Sequence, residues 1–377
     1  MSSVSLIRCE TYESRSMDRA LKRVVEPLGG MPRFVKPGDR VLIKPNLLLA
    51  RDPEKRVTTD PAVVRSVARL VMEAGGRPMI GDSPALDSFG RVARRCGMAA
   101  VSRDLGIELT PLTQPVRVAT PSGSSFRKLE IATQALDADV VINLPKLKTH
   151  SQMLLTLGVK NLFGTIVAQR KAEWHMMAGV DRDTFASLLL DIYLTVKPAL
   201  TILDGIWGMD GHGPANGRPV RLNLMAAATD AVALDISICR MLKIPLRSFP
   251  LYRVAKARGV GETDPARIAF TGDPLNAFTV SRFETPTLDS VGFLPSHLDW
   301  FTKRFLVSSP VQDGTSCVGC GACSEICPAH AVDLKGKRVA FNYDDCIRCY
   351  CCQEVCPQDA IQFKTGWLVK LLNRLNR

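Results

Sequence analysis

The 377-residue sequence predicts an α/β fold, a largely parallel sheet with flanking helices over residues 1–300, followed by a small α+β domain over 310–363 and a basic amphipathic helix over 366–377. Two observations predict it. Apolar runs of strand length recur through the first 300 residues with amphipathic helical segments between them. Near the C-terminus, eight cysteines then fall into two tandem copies of one spacing.

The first strand signal is "RVLIKPNLL", apolar up to Lys44 and then punctuated by Pro45 and Asn46. Asp60 and Pro61 read as the cap and first residue of a helix whose core face is Val63, Val67, Leu70, Val71 and Ala74, ended by Gly75 and Gly76. "RPMIGDSP" is a second strand, with a helix expected near 88–97. "DADVVINLPKLKTH" and "ALTILDGIWGMDGHGPANG" repeat the theme of apolar strand followed by polar loop, and Thr229–Leu242 reads as a helix.

Each of these strands releases polar or small residues at its carboxyl end, where open α/β sheets bind ligands. The set is Lys44 and Asn46; Asp82 and Ser83; Asn143, Lys146, Lys148 and His150; and Asp204 with Gly211, His212 and Gly213. Any one of these loops could be an ordinary turn or a solvated strand end. Together they predict a cationic site with backbone donors, suited to a phosphate or carboxylate. No G-x-G-x-x-G or Walker spacing is present, so a dinucleotide or P-loop site is not supported.

The segment "CVGCGACSEICP" places Cys317, Cys320, Cys323 and Cys327 in the C-x2-C-x2-C-x3-C-P run of bacterial ferredoxins, and "CIRCYCCQEVCP" repeats it with Cys346, Cys349, Cys352 and Cys356. Cys351 is surplus. In two-cluster ferredoxins the fourth cysteine of each run serves the other cluster. The expected sets are therefore Cys317, Cys320, Cys323 and Cys356 for one [4Fe-4S] cluster, and Cys346, Cys349, Cys352 and Cys327 for the second. Structural zinc is the alternative reading of the paired cysteines, although its pairs are usually further apart. Gly319, Gly321 and Ala322 are expected to leave room for backbone amides near the sulfides.

Lysine and arginine number 49 against 37 acids, a net charge of +12, and the excess has two centres. Residues 146–171 carry Lys146, Lys148, Lys160, Arg170 and Lys171 with no acid, and the stretch from Phe363 onward is likewise free of acids. Such charge points to anionic partners. Nucleic acid is disfavoured, because no binding motif or aromatic platform accompanies it. "GWLVKLLNRLNR" puts Trp367, Leu368, Leu371, Leu372 and Leu375 on one helical face and Lys370, Arg374 and Arg377 away from it. This is expected to dock on protein, with a peripheral membrane surface as the alternative. "MSSVSLIRCE" does not resemble a secretory signal, so the expectation is a cytoplasmic protein that can lie at the inner membrane face.

"VLIKPNLL", "INLPKLKTH", "LGVKNLFG" and "DGIWGMDGHGP" together resemble the family called domain of unknown function 362, uncharacterised iron-sulfur centre proteins, over most of residues 40–240. That resemblance implies an α/β domain often joined to a two-cluster ferredoxin-like module, with Lys146, Lys148, His150, Lys160 and Asn161 in or beside the functional cleft. The "KPN" and "PKLKTH" loops are also similar in layout to the nickel-dependent lactate racemase type of α/β protein.

The expected function is an iron-sulfur oxidoreductase that exchanges single electrons with an anionic ligand in the cleft and with a donor or acceptor protein. In this reading His150, Lys148 and Asp204 carry the chemistry. Lys146, Lys148 and Lys160 hold the anion, and His150 donates a proton because free histidine titrates at about 6.5. The alternative is a non-enzymatic carrier or assembly subunit of a larger redox complex.

Overall fold

The computed structural model describes residues 2–168, 170–179, 181–278, 280, 282–286 and 308–364. The amphipathic helix predicted at 366–377 lies outside them.

Among the described residues twelve strands precede the cysteine module. They are β1 (Ser2–Arg8), β2 (Arg40–Pro45), β3 (Arg77–Asp82), β4 (Glu108–Pro111), β5 (Pro115–Ala119), β6 (Lys128–Ala132), β7 (Val140–Leu144), β8 (Lys146–His150), β9 (Leu154–Thr156), β10 (Leu200–Asp210), β11 (Arg218–Ala228) and β12 (Ile268–Gly272). All but the β5–β6 hairpin join one ten-stranded sheet in the order β12-β1-β11-β10-β7-β2-β3-β4, with β8 beside β10 and β9 beside β8. The run from β10 to β4 is parallel, whereas β11 pairs antiparallel with both β1 and β10. The sheet is thus mixed but mainly parallel, with helices on both faces.

Alternation sorts the strand residues between those faces. Leu42 enters one apolar core with Val4 and Leu6, while Val41 and Ile43 enter the other with Ile7 and the helix Pro61–Glu73. That helix starts as its sequence demands, with the Asp60 carboxylate accepting from the Ala62 amide and Pro61 in the first turn. The helix expected near 88–97 is Phe89–Arg95, capped by Ser88, and a further helix, Met98–Leu105, follows it after Gly97, which takes a φ of 84°.

The strand order reverses beside β2. β3 and β4 build outward on one side, and β7 returns to the other. The crevice at the carboxyl ends of β2 and β7 is therefore the topological switch point. Register brings Lys44 beside Asn143 there, and Asp204 beside Lys146 one strand further on.

The cysteine module is closed by its first and last strands, β13 (Ser309–Gln312) and β16 (Ile361–Lys364), which pair antiparallel. Between them lie the hairpin of β14 (Val332–Lys335) and β15 (Arg338–Phe341) and two short helices, Ala322–Glu325 and Cys351–Val355. The second helix docks on the α/β domain. Gln353 accepts from the Ser151 hydroxyl (3.1 Å) and donates to the His212 carbonyl (3.2 Å), and the Asn216 amide donates to the Gln353 and Cys356 carbonyls.

Candidate functional site

The eight motif cysteines stand around two small cavities. Cys317, Cys320, Cys323 and Cys356 line one, with Leu334, Val339 and Ile361; Cys327, Cys346, Cys349 and Cys352 line the other, with the surplus Cys351, Val332 and Phe341. None of the twelve cysteines is joined in a disulfide. Among the described residues no three or more metal-ligating side chains converge closely enough to hold a single ion. Four sulfurs spread around a void fit a multi-iron cluster, whereas tetrahedral zinc needs them gathered at one point. Backbone amides point at the sulfurs in both copies: Ala331 donates to Cys327 Sγ (3.3 Å) and Ala360 to Cys356 Sγ (3.2 Å). Such bonds tune a bound cluster's potential.

The glycines of the first motif also meet a backbone requirement. Gly319 and Gly321 take φ of 75° and 80°, and their counterparts in the second motif, Arg348 and Tyr350, take 56° and 65°. The loop requires left-handed backbone at these two positions. At Gly319 a side chain is excluded as well, since a Cβ would lie 2.8 Å from the Gly336 carbonyl oxygen.

At the switch point a line of amides ties three strand ends together. The buried Lys148 ammonium donates to Asn46 Oδ1 (2.7 Å) and to the Val57 carbonyl (2.6 Å), Asn46 Nδ2 donates to Asn161 Oδ1 (3.0 Å), Asn161 Nδ2 to Asn143 Oδ1 (2.8 Å), and Asn143 Nδ2 to the Gly158 carbonyl (2.8 Å). Each donor points the same way, so every amide orientation is fixed by its neighbour. Beside this line Lys44 pairs with Asp82 at 2.8 Å, both buried, and Asp82 also accepts from the amides of Leu47 and Ser83.

A cavity of about 100 Å³ opens beside that pair. Its α/β wall carries Lys44, Asn46, Asp82, Ser83, Lys160, Asn161, Lys171 and His175 among leucines 47–49 and Phe163. Ile326, Cys351, Glu354 and Val355 of the cysteine module form the opposite wall. Burial lowers the pKa of Lys160, and that of Lys171 falls to about 7 for the same reason. The Lys171 ammonium donates to the Ser83 and Ile166 carbonyls. His175 lies flat on Phe185, with ring centres 4.3 Å apart, and edge-on to Phe163. Its Nδ1 is buried without a hydrogen-bond partner.

The family pattern described as Domain of unknown function (DUF362) matches residues 41–240, and that of a 4Fe-4S dicluster domain matches 309–357. The chain belongs to the DUF362 family. It is similar to the thylakoid-associated protein sll1697 of Synechocystis sp., 45% identical over 307 residues that cover 81% of this chain and 95% of that protein. Among solved structures, the lactate racemase apoprotein of Thermoanaerobacterium thermosaccharolyticum matches at a TM-score of 0.40 and 13% identity, over 61% of this chain and 55% of that one. A Thermotoga maritima protein matches at 0.35 and 12%, over 54% and 52%. The dicluster domain supports iron-sulfur cluster binding by this DUF362 chain.

The cavity lies where the DUF362 and dicluster segments meet, and it gathers six of the residues singled out in the sequence: Lys44, Asn46, Asp82, Ser83, Lys160 and Asn161. Lys148 and Asn143 stand behind them in the amide line. Lys146 and Asp204 lie apart from it, in a buried pair at 2.8 Å that Tyr12 joins through bonds of 2.9 and 2.6 Å. His212 and Gly213 belong to the seam with the cysteine module, where the His212 ring lies 3.4 Å from Asp359 and the Gly213 carbonyl accepts from Ser151; Gly211 accepts from Thr149.

His150 differs most from expectation. Its Nδ1 accepts from the amides of Gln152 and Met153, which leaves the proton of the neutral ring on Nε2, 2.8 Å from Glu354 Oε1. Burial and then Lys160 push its pKa down to about 4, so the ring is neutral at physiological pH, contrary to the reference value used in reading the sequence. Burial would raise the Glu354 carboxyl, but His150 and Lys160 outweigh it and hold it at about 2. Lys171, His175, Glu354 and Cys351 were not placed in the cleft by sequence. The one available signal was the i, i+4 spacing of Lys171 and His175 on a helix.

Proposed function

We propose that this DUF362 chain is an oxidoreductase that exchanges single electrons between two [4Fe-4S] clusters and a small anionic ligand held in the cavity between its two domains. The observation that carries this is the composition of the cavity's second wall: Ile326, Cys351 and Val355 each adjoin a motif cysteine, namely Cys327, Cys352 and Cys356. A ligand there is one residue removed from the sulfurs. The crossed cysteine sets named above would hold the clusters, which supply one-electron chemistry when bound.

The chain's own residues do the remaining work. Lys160 and Lys171 attract the anion, Lys44 is fixed by Asp82, and the amide line holds Asn46 and Asn161 in single orientations. Leucines 47–49, Phe163 and Val355 exclude water, which strengthens each electrostatic contact. The His150–Glu354 contact and the bonds of Gln353 keep the two walls in register.

Anaerobically prepared protein is expected to contain about eight iron atoms per chain. Cys351→Ser should retain them, whereas Cys349→Ser should lose about half. In a redox titration followed by electron paramagnetic resonance, Lys160→Gln should lower the potential of the cluster held by Cys327, Cys346, Cys349 and Cys352, because a positive charge near it is removed. The other cluster should be unaffected. Equal potentials in wild type and variant would place the cavity out of electronic reach and sink the proposal.

A further inference from the structure

The cavity walls balance almost completely. Lys44 is cancelled by Asp82 at 2.8 Å, and burial makes Lys171 only a partial cation near pH 7, which leaves Lys160 and Lys171 against Glu354 with an excess of at most one positive charge. Lys160 makes no ion pair or hydrogen bond among the described residues; its ammonium stands over the rings of Phe163 (5.7 Å) and Phe185 (5.9 Å). His175 packs on the same two rings and leaves a buried Nδ1 unpartnered. A lone cation and a lone imidazole nitrogen thus flank one aromatic pair, and the rest of the lining is largely apolar: Leu47, Leu49, Pro84, Ala85, Phe163, Ile326 and Val355. Buried polar groups in native proteins have partners, so the His175 Nδ1 marks the place of a missing one, with the half-buried Lys160 ammonium as the cation beside it.

We infer that the cavity takes a small monocarboxylate with an apolar body, one carboxylate oxygen against Lys160 and the other accepting from His175. This rests on the function proposed above and narrows its ligand. A single excess charge matches a monoanion; a phosphate dianion or a dicarboxylate would leave a buried negative charge without a counterpart. A neutral amide of the same shape would give Lys160 no charge to pair with. The apolar lining favours a branched or cyclic hydrocarbon body over a sugar or a nucleotide.

The test is calorimetry on full-length, anaerobic protein with oxidised clusters, using isobutyrate as probe and isobutyramide, succinate and inorganic phosphate as comparators. Isobutyrate should bind at least about tenfold more tightly than each comparator. Lys160→Gln should weaken isobutyrate by about tenfold or more, and His175→Phe, which keeps the ring stack, by a similar factor. Lys335→Gln, on the exposed hairpin of the module, should change nothing. The comparison among probes needs only wild-type protein, so it stands even if a variant misfolds. Comparators binding as tightly as isobutyrate, the absence of binding by isobutyrate, or an unaffected Lys160→Gln variant would each overturn the inference. The two readings fail separately. Lys160-dependent isobutyrate binding with an unshifted cluster potential upholds the ligand class and sinks the redox role, while a shifted potential with preference for phosphate does the reverse.

Discussion

Lys171 reaches the Ser83 and Ile166 carbonyls from the helix Arg170–Ala178, and burial there pulls its amine from the ordinary 10.5 down to about 7. Between those values the unfolded chain holds a proton that the folded chain has released, so stability rises with pH across the interval. The contribution is fully present above 10.5 and is lost as pH falls through 7. Urea denaturation of wild type and Lys171→Met at pH 7 and pH 9.5 should show wild type gaining stability relative to the variant at the higher pH. A flat or inverted difference would show that the amine stays charged in the folded protein. The same residue marks the limit of sequence reading at this scale. The cysteine sets were legible because ligation imposes a spacing. Lys171 stood in the sequence as one more member of an acid-free basic stretch, and nothing local distinguished it from solvated neighbours. Its ammonium is held by the Ser83 carbonyl, 88 residues away.

Individual elements carry the same contrast. Helix Pro61–Glu73 and strands β2, β3 and β7 were legible from caps and apolar runs. "KLKTH" read as a polar loop and is instead the strand β8, because β9 and β10 pair with it on either side. Strand alternation then directs Lys146, Lys148 and His150 to one side and Leu147 and Thr149 to the other, all buried. "ALTIL" similarly continues as strand through Asp204 to Asp210. The short 3-10 turn Leu162–Thr165 shows how tightly these elements meet. A Cβ at Gly164 would lie 2.5 Å from Lys44 Nζ and 2.7 Å from its Cε, and would also strike Asp82 Oδ1. Gly164→Ala must therefore displace a buried ion pair, and overpacking of this kind costs about 1–3 kcal/mol. The midpoint of urea unfolding should fall accordingly. An unchanged midpoint would mean that the Lys44–Asp82 pair has room to move, and that the cavity wall it forms is not rigid.

Across the whole molecule, charge and amphipathic pattern point to a surface partner. None of the described helices is long and apolar enough to cross a membrane. At helical spacing the sequence of residues 366–377 places Trp367, Leu368, Leu371, Leu372 and Leu375 together and Lys370, Arg374 and Arg377 apart from them, the pattern expected of a docking helix. A basic amphipathic helix lies in the headgroup region of anionic bilayers, where each basic residue adds about 1 kcal/mol near the surface and added salt screens the attraction. Deleting 366–377 should leave iron content and urea midpoint unchanged, because the cysteine module already closes on itself through β13 and β16. Co-sedimentation with vesicles of mixed neutral and anionic lipid should fall by about tenfold or more, in line with the three basic residues and the apolar face removed. Wild-type binding should also decline between low and high salt. Equal sedimentation with and without the tail would assign the acid-free C-terminal charge to a protein partner instead. In that case the donor or acceptor of electrons is where the docking surface should be sought.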